Sequence, residues 1–131
     1  MCNKKVALIT GGSRGIGRAT AVRLAKKGMN IVFSYHSGEE AAKETAALCE
    51  TEGAKVLAVK ADVSKSEECD KLMEEALAFG EGRLDVLVNN AGITKDSLIM
   101  KMTNEQFDQV IDTNLKGAFY MMRAAAKVML K

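Results

Sequence analysis

The segment Thr10-Gly11-Gly12-Ser13-Arg14-Gly15-Ile16-Gly17 constrains this chain more than any other. It follows an apolar run at residues 6–9 that reads as a buried strand, and it precedes a helical pattern at residues 18–27 closed by Gly28. A strand that turns through glycines into a helix presents backbone N–H groups and the positive end of the helix dipole to whatever lies above the turn. That geometry suits a phosphate. The glycines are spaced Gly11-x-x-x-Gly15-x-Gly17 rather than G-x-G-x-x-G. The spacing still meets the physical needs: Gly11 for the turn out of the strand, Gly15 for close approach of the backbone to a pyrophosphate, and Gly17 for close packing of the helix. The absence of G-K-[ST] excludes a P-loop.

The rest of the chain repeats this alternation. Apolar runs at residues 31–34, 56–59 and 84–88 read as strands, and amphipathic patterns lie between them. The first helix puts Gly17, Ala21, Leu24, Ala25 and Gly28 on one face, the second Ala42, Thr45, Ala46 and Cys49, and the third Cys69, Leu72, Met73 and Ala76. These i, i+3, i+4 spacings are those of half-buried helices. Ser64 and Glu67 predict a capping box at the start of the third helix, as do Thr103 and Gln106 for the last. The last helix predicts a continuous stripe of Phe107, Val110, Ile111, Asn114, Ala118, Met122 and Ala125, running on to Lys131. Apolar strands alternating with helices imply an α/β fold, a Rossmann-like doubly wound parallel sheet of strand order 3-2-1-4, incomplete at its C-terminal side. Residues 1–131 read as one nucleotide-binding domain.

Composition narrows the function. A net charge of +2 gives no electrostatic case for nucleic acid or a membrane surface. No apolar run is long enough to span a bilayer, and the N-terminus leads straight into a strand rather than a signal peptide. Cys2, Cys49 and Cys69 show no C-x-x-C spacing, and there is one histidine. Reduced thiols in a cytoplasm are expected, and no metal site. The chain has no proline, which fits strands and helices joined by glycine turns.

The glycine loop resembles that of the short-chain dehydrogenase/reductase family. Three further segments extend the likeness: Asp62-Val63 after the third strand, Asn89-Asn90-Ala91-Gly92 after the fourth, and Asp112-Thr113-Asn114-Leu115 in the helix beyond it. The loop, the segment from Leu84 to Thr94, the segment from Asp96 to Met102 and Asp112–Leu115 are most similar to the bacterial 3-oxoacyl-[acyl-carrier-protein] reductases. The resemblance implies reduction of a 3-oxoacyl thioester by a nicotinamide coenzyme, with an acyl-carrier-protein-bound or other thioester as substrate and a homotetramer as the complete enzyme. It implies that Gly11, Gly12, Ser13, Arg14, Gly15, Ile16 and Gly17 cradle the coenzyme, and that Asp62 and Val63 hold the adenine. Asn90, Ala91 and Gly92 then line the ribose and nicotinamide side. By the same resemblance, Asn114 sits at a helix distortion and holds a water of the proton relay.

The coenzyme expected is NADPH. An NAD-binding sheet places an acid about 20 residues beyond the loop, where it takes the ribose 2′-hydroxyl. Here the second strand ends Ser34-Tyr35-His36-Ser37. Arg14 can donate charge-assisted hydrogen bonds to a 2′-phosphate, with His36 and Ser37 as further donors. The family's proton donor is a tyrosine in Tyr-x-x-x-Lys. Tyr35 is followed four residues on by Glu39, and Tyr120 by Ala124. The chain is therefore expected to be the N-terminal part of such an enzyme. A non-catalytic nucleotide-binding half-domain, half of a split enzyme, and a reductase of another ketone or alcohol are the alternatives.

Overall fold

The structure, a computed structural model, describes residues 4–92 and 98–130. Cys2, residues 93–97 and Lys131 lie outside the described residues. The elements run β1 (Val6–Ile9), α1 (Gly15–Lys26), β2 (Asn30–Tyr35), α2 (Glu39–Thr51), β3 (Val56–Lys60), α3 (Ser66–Phe79), β4 (Val86–Val88), α4 (Asn104–Ile111) and α5 (Gly117–Met129), with a π-helical turn, Asp112–Lys116, joining the last two. The four strands are parallel in the order β3-β2-β1-β4, as the alternation predicts.

Side chains alternate across the strands, so the sheet carries a core on each face. Val6, Leu8 and Val32 point to one side, where they pack with Cys69, Leu72, Met73 and Ala76 of α3 and with Met121 and Ala125 of α5. Ala7, Ile9, Ile31 and Phe33 point to the other, against Ala21 and Ala25 of α1 and Ala42 and Cys49 of α2. Each large apolar side chain taken fully out of water contributes about 1.5–3 kcal/mol. The central strands β1 and β2 are almost wholly buried, whereas β4 is half-buried.

Three local expectations are corrected. First, β4 begins at Val86 rather than at residue 84. The Asp85 carboxylate takes the Val6 N–H (2.9 Å) and the Arg83 Nε–H (2.7 Å), so a side chain stands where the ladder would otherwise extend. Second, no capping box forms at Ser64 and Glu67. The Ser64 hydroxyl and N–H both donate to Asp62 Oδ1 (2.6 and 3.0 Å), and it is Glu68 that accepts the Asp62 N–H (2.9 Å). α3 therefore starts at Ser66, with Lys65 as an N-cap that makes no side-chain bond. The Thr103–Gln106 box does form, through reciprocal bonds of 3.1 and 3.0 Å.

Third, the stripe of the last helix is not continuous. The π turn inserts an extra residue into the helical repeat and rotates α5 relative to α4. The buried positions beyond it are Gly117, Met121 and Ala125, not Ala118 and Met122, and Met122 is exposed. Asn114, inside the π turn, is exposed rather than buried on an apolar face. Phe107, Leu115, Phe119 and Met122 leave apolar surface on the outer side of this helical stretch.

Candidate functional site

In a doubly wound sheet the crevice lies at the carboxyl ends of the strands, where connections from neighbouring strands diverge. Here β1 leads to β2 on one side, while β4 lies on the other. The loops that leave the four strands enclose a cavity of about 640 Å³. Its walls are Gly11, Ser13 and Arg14 after β1, Tyr35, His36 and Ser37 at the end of β2, Asp62 and Val63 after β3, and Asn90, Ala91 and Gly92 after β4. Gln109, Asp112 and Thr113, from α4 and the π turn, close the remaining side.

The glycine loop is held from below. The Gly11 N–H donates to Ser34 Oγ (3.2 Å) and the Gly12 N–H to the Ser34 carbonyl (2.9 Å). Gly12 sits on the Phe33 ring, with no room for a side chain. Thr10 is buried and joins the loop to the far wall. Its hydroxyl accepts the N–H groups of Asn90 (3.1 Å) and Ala91 (3.0 Å), and its own N–H reaches the Val88 carbonyl (3.0 Å). Asn90 Nδ2 donates back to the Gly11 carbonyl (2.9 Å). Gly17, the third residue of α1, packs beneath that carbonyl and the Asn90 amide, so its close approach is to the loop itself.

Arg14 is the N-cap of α1 and makes no side-chain cap, and no acid lies in the first turn. The first N–H groups of the helix have no intrahelical acceptor there. The Arg14 guanidinium instead lies against Gly38, the left-handed residue that opens α2. It thus stands beside the His36–Ser37 turn, on the corner of the cavity without a carboxylate from β2.

Asp62 forms the floor opposite. Burial pushes its carboxyl up, but the two bonds from Ser64 and the charges of His36 and Lys65 outweigh it and hold the group below its ordinary value of 3.8. His36 Nε2 is 3.8 Å from Asp62 Oδ2 on an exposed side chain, an ion pair of little worth in water. A depressed carboxylate stabilises the fold above its unfolded pKa, and that contribution is lost as pH falls through the folded value. The stability difference between wild type and Asp62→Asn is therefore expected to shrink as pH falls from about 5 to below 3.8, read by urea denaturation. A constant difference would refute this role for Asp62.

Residues 5–131 match the short chain dehydrogenase family. The chain belongs to that family. Relatives include the 3-oxoacyl-[acyl-carrier-protein] reductase of Synechocystis sp., 46% identical over 127 residues, which cover 97% of this chain and 51% of that protein. The 3-oxoacyl-[acyl-carrier-protein] reductase FabG of Staphylococcus aureus is 43% identical over 128 residues, 97% of this chain and 51% of that one. A short-chain dehydrogenase/reductase of Serratia marcescens superposes with a TM-score of 0.90 at 35% identity, over 95% of this chain and 50% of that one. The chain thus spans about half the length of these relatives.

Against the family's motifs, the structure brings Gly11, Ser13, Arg14, His36, Asp62, Val63, Asn90, Ala91 and Gly92 around one cavity. Gly12 and Gly17 lie behind it as packing positions, and Gly15 and Ile16 are exposed at the start of α1. Asn114 stands beside the wall, its carboxamide facing Gly92, where a Cβ would lie 3.1 Å from Asn114 Oδ1. The helix distortion implied by resemblance is the π turn that carries it. Sequence reasoning did not single out Thr10, Ser34, Arg18, Thr45 or the Asp112–Thr113 wall. Thr10 and Asp112–Thr113 lay within recognised motifs, whereas the partners of Arg18 and Thr45 are distant in the chain. Among the described residues no helix is long and apolar enough to cross a membrane, and no group of three or more His, Cys, Asp or Glu is placed to hold a metal ion.

Proposed function

We propose that the cavity takes NADPH, and that the chain is the coenzyme-binding part of a reductase converting a 3-oxoacyl thioester, carried on acyl carrier protein, to the 3-hydroxyacyl thioester in fatty acid synthesis. The observation that carries the coenzyme is the Arg14 guanidinium against Gly38, beside His36, where an NAD-binding sheet would offer a carboxylate. The cavity fits such a ligand. It is long enough to join four loops, it is lined by both polar and apolar groups, and α1 opens on it with an uncapped positive end. The substrate class rests on the names of the relatives at 42–46% identity. The family match, broader than these relatives, keeps reduction of another ketone or alcohol as the second reading.

In this reading the bound coenzyme supplies a hydride. The loop from Gly11 to Gly17 holds the pyrophosphate, Arg14 and His36 the 2′-phosphate, and Asp62 and Val63 the adenine edge. Asn90, Ala91 and Gly92 exclude water from the ribose and nicotinamide side. Asn114, beside Gly92, orients a water for proton delivery. The complete enzyme is a cytoplasmic homotetramer in this proposal.

The test is calorimetric titration with NADPH and NADH. NADPH is expected to bind the tighter, and Arg14→Ala to cut that preference about tenfold or more, as loss of a hydrogen bond to a charged group implies. Tighter binding of NADH by the wild type would overturn the coenzyme assignment. The 131-residue chain has no Tyr-x-x-x-Lys and is expected to bind NADPH without oxidising it when given a 3-oxoacyl thioester. Turnover by this chain would overturn the assignment of proton donation to that motif.

A further inference from the structure

Arg18 comes directly after the glycine loop and is not among the residues that line the cavity, yet its guanidinium bonds both to the loop and to α2. Its Nε donates to Thr45 Oγ1 (2.9 Å). Its Nη2 reaches the Ser13 carbonyl (2.9 Å), the Ala41 carbonyl (2.9 Å) and Glu44 Oε2 (3.3 Å). Thr45, fully buried on α2, donates its own hydroxyl proton to the same Ser13 carbonyl (3.0 Å). One loop carbonyl is thus gripped by two groups, both anchored to α2.

We propose that Arg18 is a positioning residue that sets coenzyme discrimination by locking the glycine loop to α2; this rests on the reading of the cavity as an NADPH site. Ser13 directly precedes Arg14, whose guanidinium lies on Gly38 at the start of α2. The 2′-phosphate corner therefore has two walls on separate elements, Arg14 from the loop and His36 to Gly38 from the entry to α2. Arg18 and Thr45 hold their spacing. The start of the loop, by contrast, is held from other elements, Gly11 and Gly12 by Ser34 and the Gly11 carbonyl by Asn90, so it keeps its place when the grip on Ser13 is lost. The helices themselves stay packed through Ala21, Ala25, Ala42 and Cys49, so the grip is not what holds the domain together. A lysine cannot replace the planar fork, because one ammonium cannot span Thr45, Ser13 and Ala41 in fixed directions.

The experiment measures dissociation constants for NADPH and NADH in wild type, Arg18→Met, Arg18→Lys and Thr45→Val, with Glu44→Gln as a control on an exposed partner. Arg18→Met is expected to reduce the NADPH preference about tenfold while NADH binding changes about twofold or less, a coupling of the size found between groups in one network. Arg18→Lys does not restore the preference, Thr45→Val lowers it in the same direction, and Glu44→Gln leaves it unchanged. Loss of folded protein affects both coenzymes equally, so the ratio separates positioning from stability. An unchanged ratio, or equal weakening of both coenzymes, overturns the proposal while leaving NADPH binding intact. If Arg18→Met does not fold, Thr45→Val decides by the same ratio. Wild type that binds neither coenzyme overturns the NADPH reading and this proposal with it.

Discussion

Gly17→Ala is expected to lower the thermal midpoint by about 5–15 °C and to abolish measurable NADPH binding. A Cβ at this position would overlap the Gly11 carbonyl oxygen and come within 2.6 Å of Asn90 Nδ2. Neither neighbour is the loose end of a side chain. The first is backbone at the turn out of β1, and the second is the amide that donates to that same carbonyl at 2.9 Å. Relief requires lifting the loop from α1 or breaking the Asn90 bond. Overpacking of this kind costs about 1–3 kcal/mol, and the lost hydrogen bond adds about 1 kcal/mol. The same displacement moves the two loops that face each other across the cavity. Gly28→Ala is the contrasting substitution. Gly28 has a positive φ (+91°), but nothing lies within 4 Å of its Cβ position, so only local backbone strain is expected there, with coenzyme binding unchanged. Melting curves and NADPH titration of the two variants test this. Equal binding by Gly17→Ala and wild type would remove the packing account of the loop.

The contrast between these glycines bears on what the sequence could disclose. Residue type and spacing announce that a loop turns, and the alternation of apolar runs with amphipathic stretches is enough for the strand order, because parallel crossovers leave few arrangements. The capping box at Thr103 is equally legible, since both partners lie within four residues. At Ser64 the same local signal misleads. Asp62, two residues earlier, competes for the serine, and Glu68 rather than Glu67 reaches the loop. The last helix fails for another reason. A regular 3.6-residue period passes over Asn114, whereas the π turn there shifts the buried face to Gly117, Met121 and Ala125. The motif around Asn114 was visible, but its exposure was not. Arg18 and Thr45 are the least legible, because each reads only as a position in its own helix and their bond spans 27 positions.

Thr10→Val carries the other large expected effect, and it arises without any change of shape. Valine fills the volume of threonine, so neither a cavity nor a clash results. The loss is the hydroxyl that accepts the Asn90 and Ala91 N–H groups, at 3.1 and 3.0 Å, on a residue 2% exposed. Leaving a fully buried donor unsatisfied costs about 1–3 kcal/mol, and since both of these donors are only half-buried the pair implies a loss of about 1–3 kcal/mol in all unless the turn opens to water. Opening the turn displaces Asn90, Ala91 and Gly92, which form one wall of the cavity. NADPH affinity is then expected to fall about ten- to a hundredfold. Thr10→Ser keeps the hydroxyl and loses only a methyl group, so it is expected to stay within about 1 kcal/mol of wild type. Urea denaturation gives the stability difference, and amide hydrogen exchange reports on the turn directly. In Thr10→Val the Asn90 and Ala91 amides are expected to exchange faster than in Thr10→Ser. If valine and serine variants match in stability and in exchange at those two amides, the hydroxyl does not hold the β4 turn to the glycine loop.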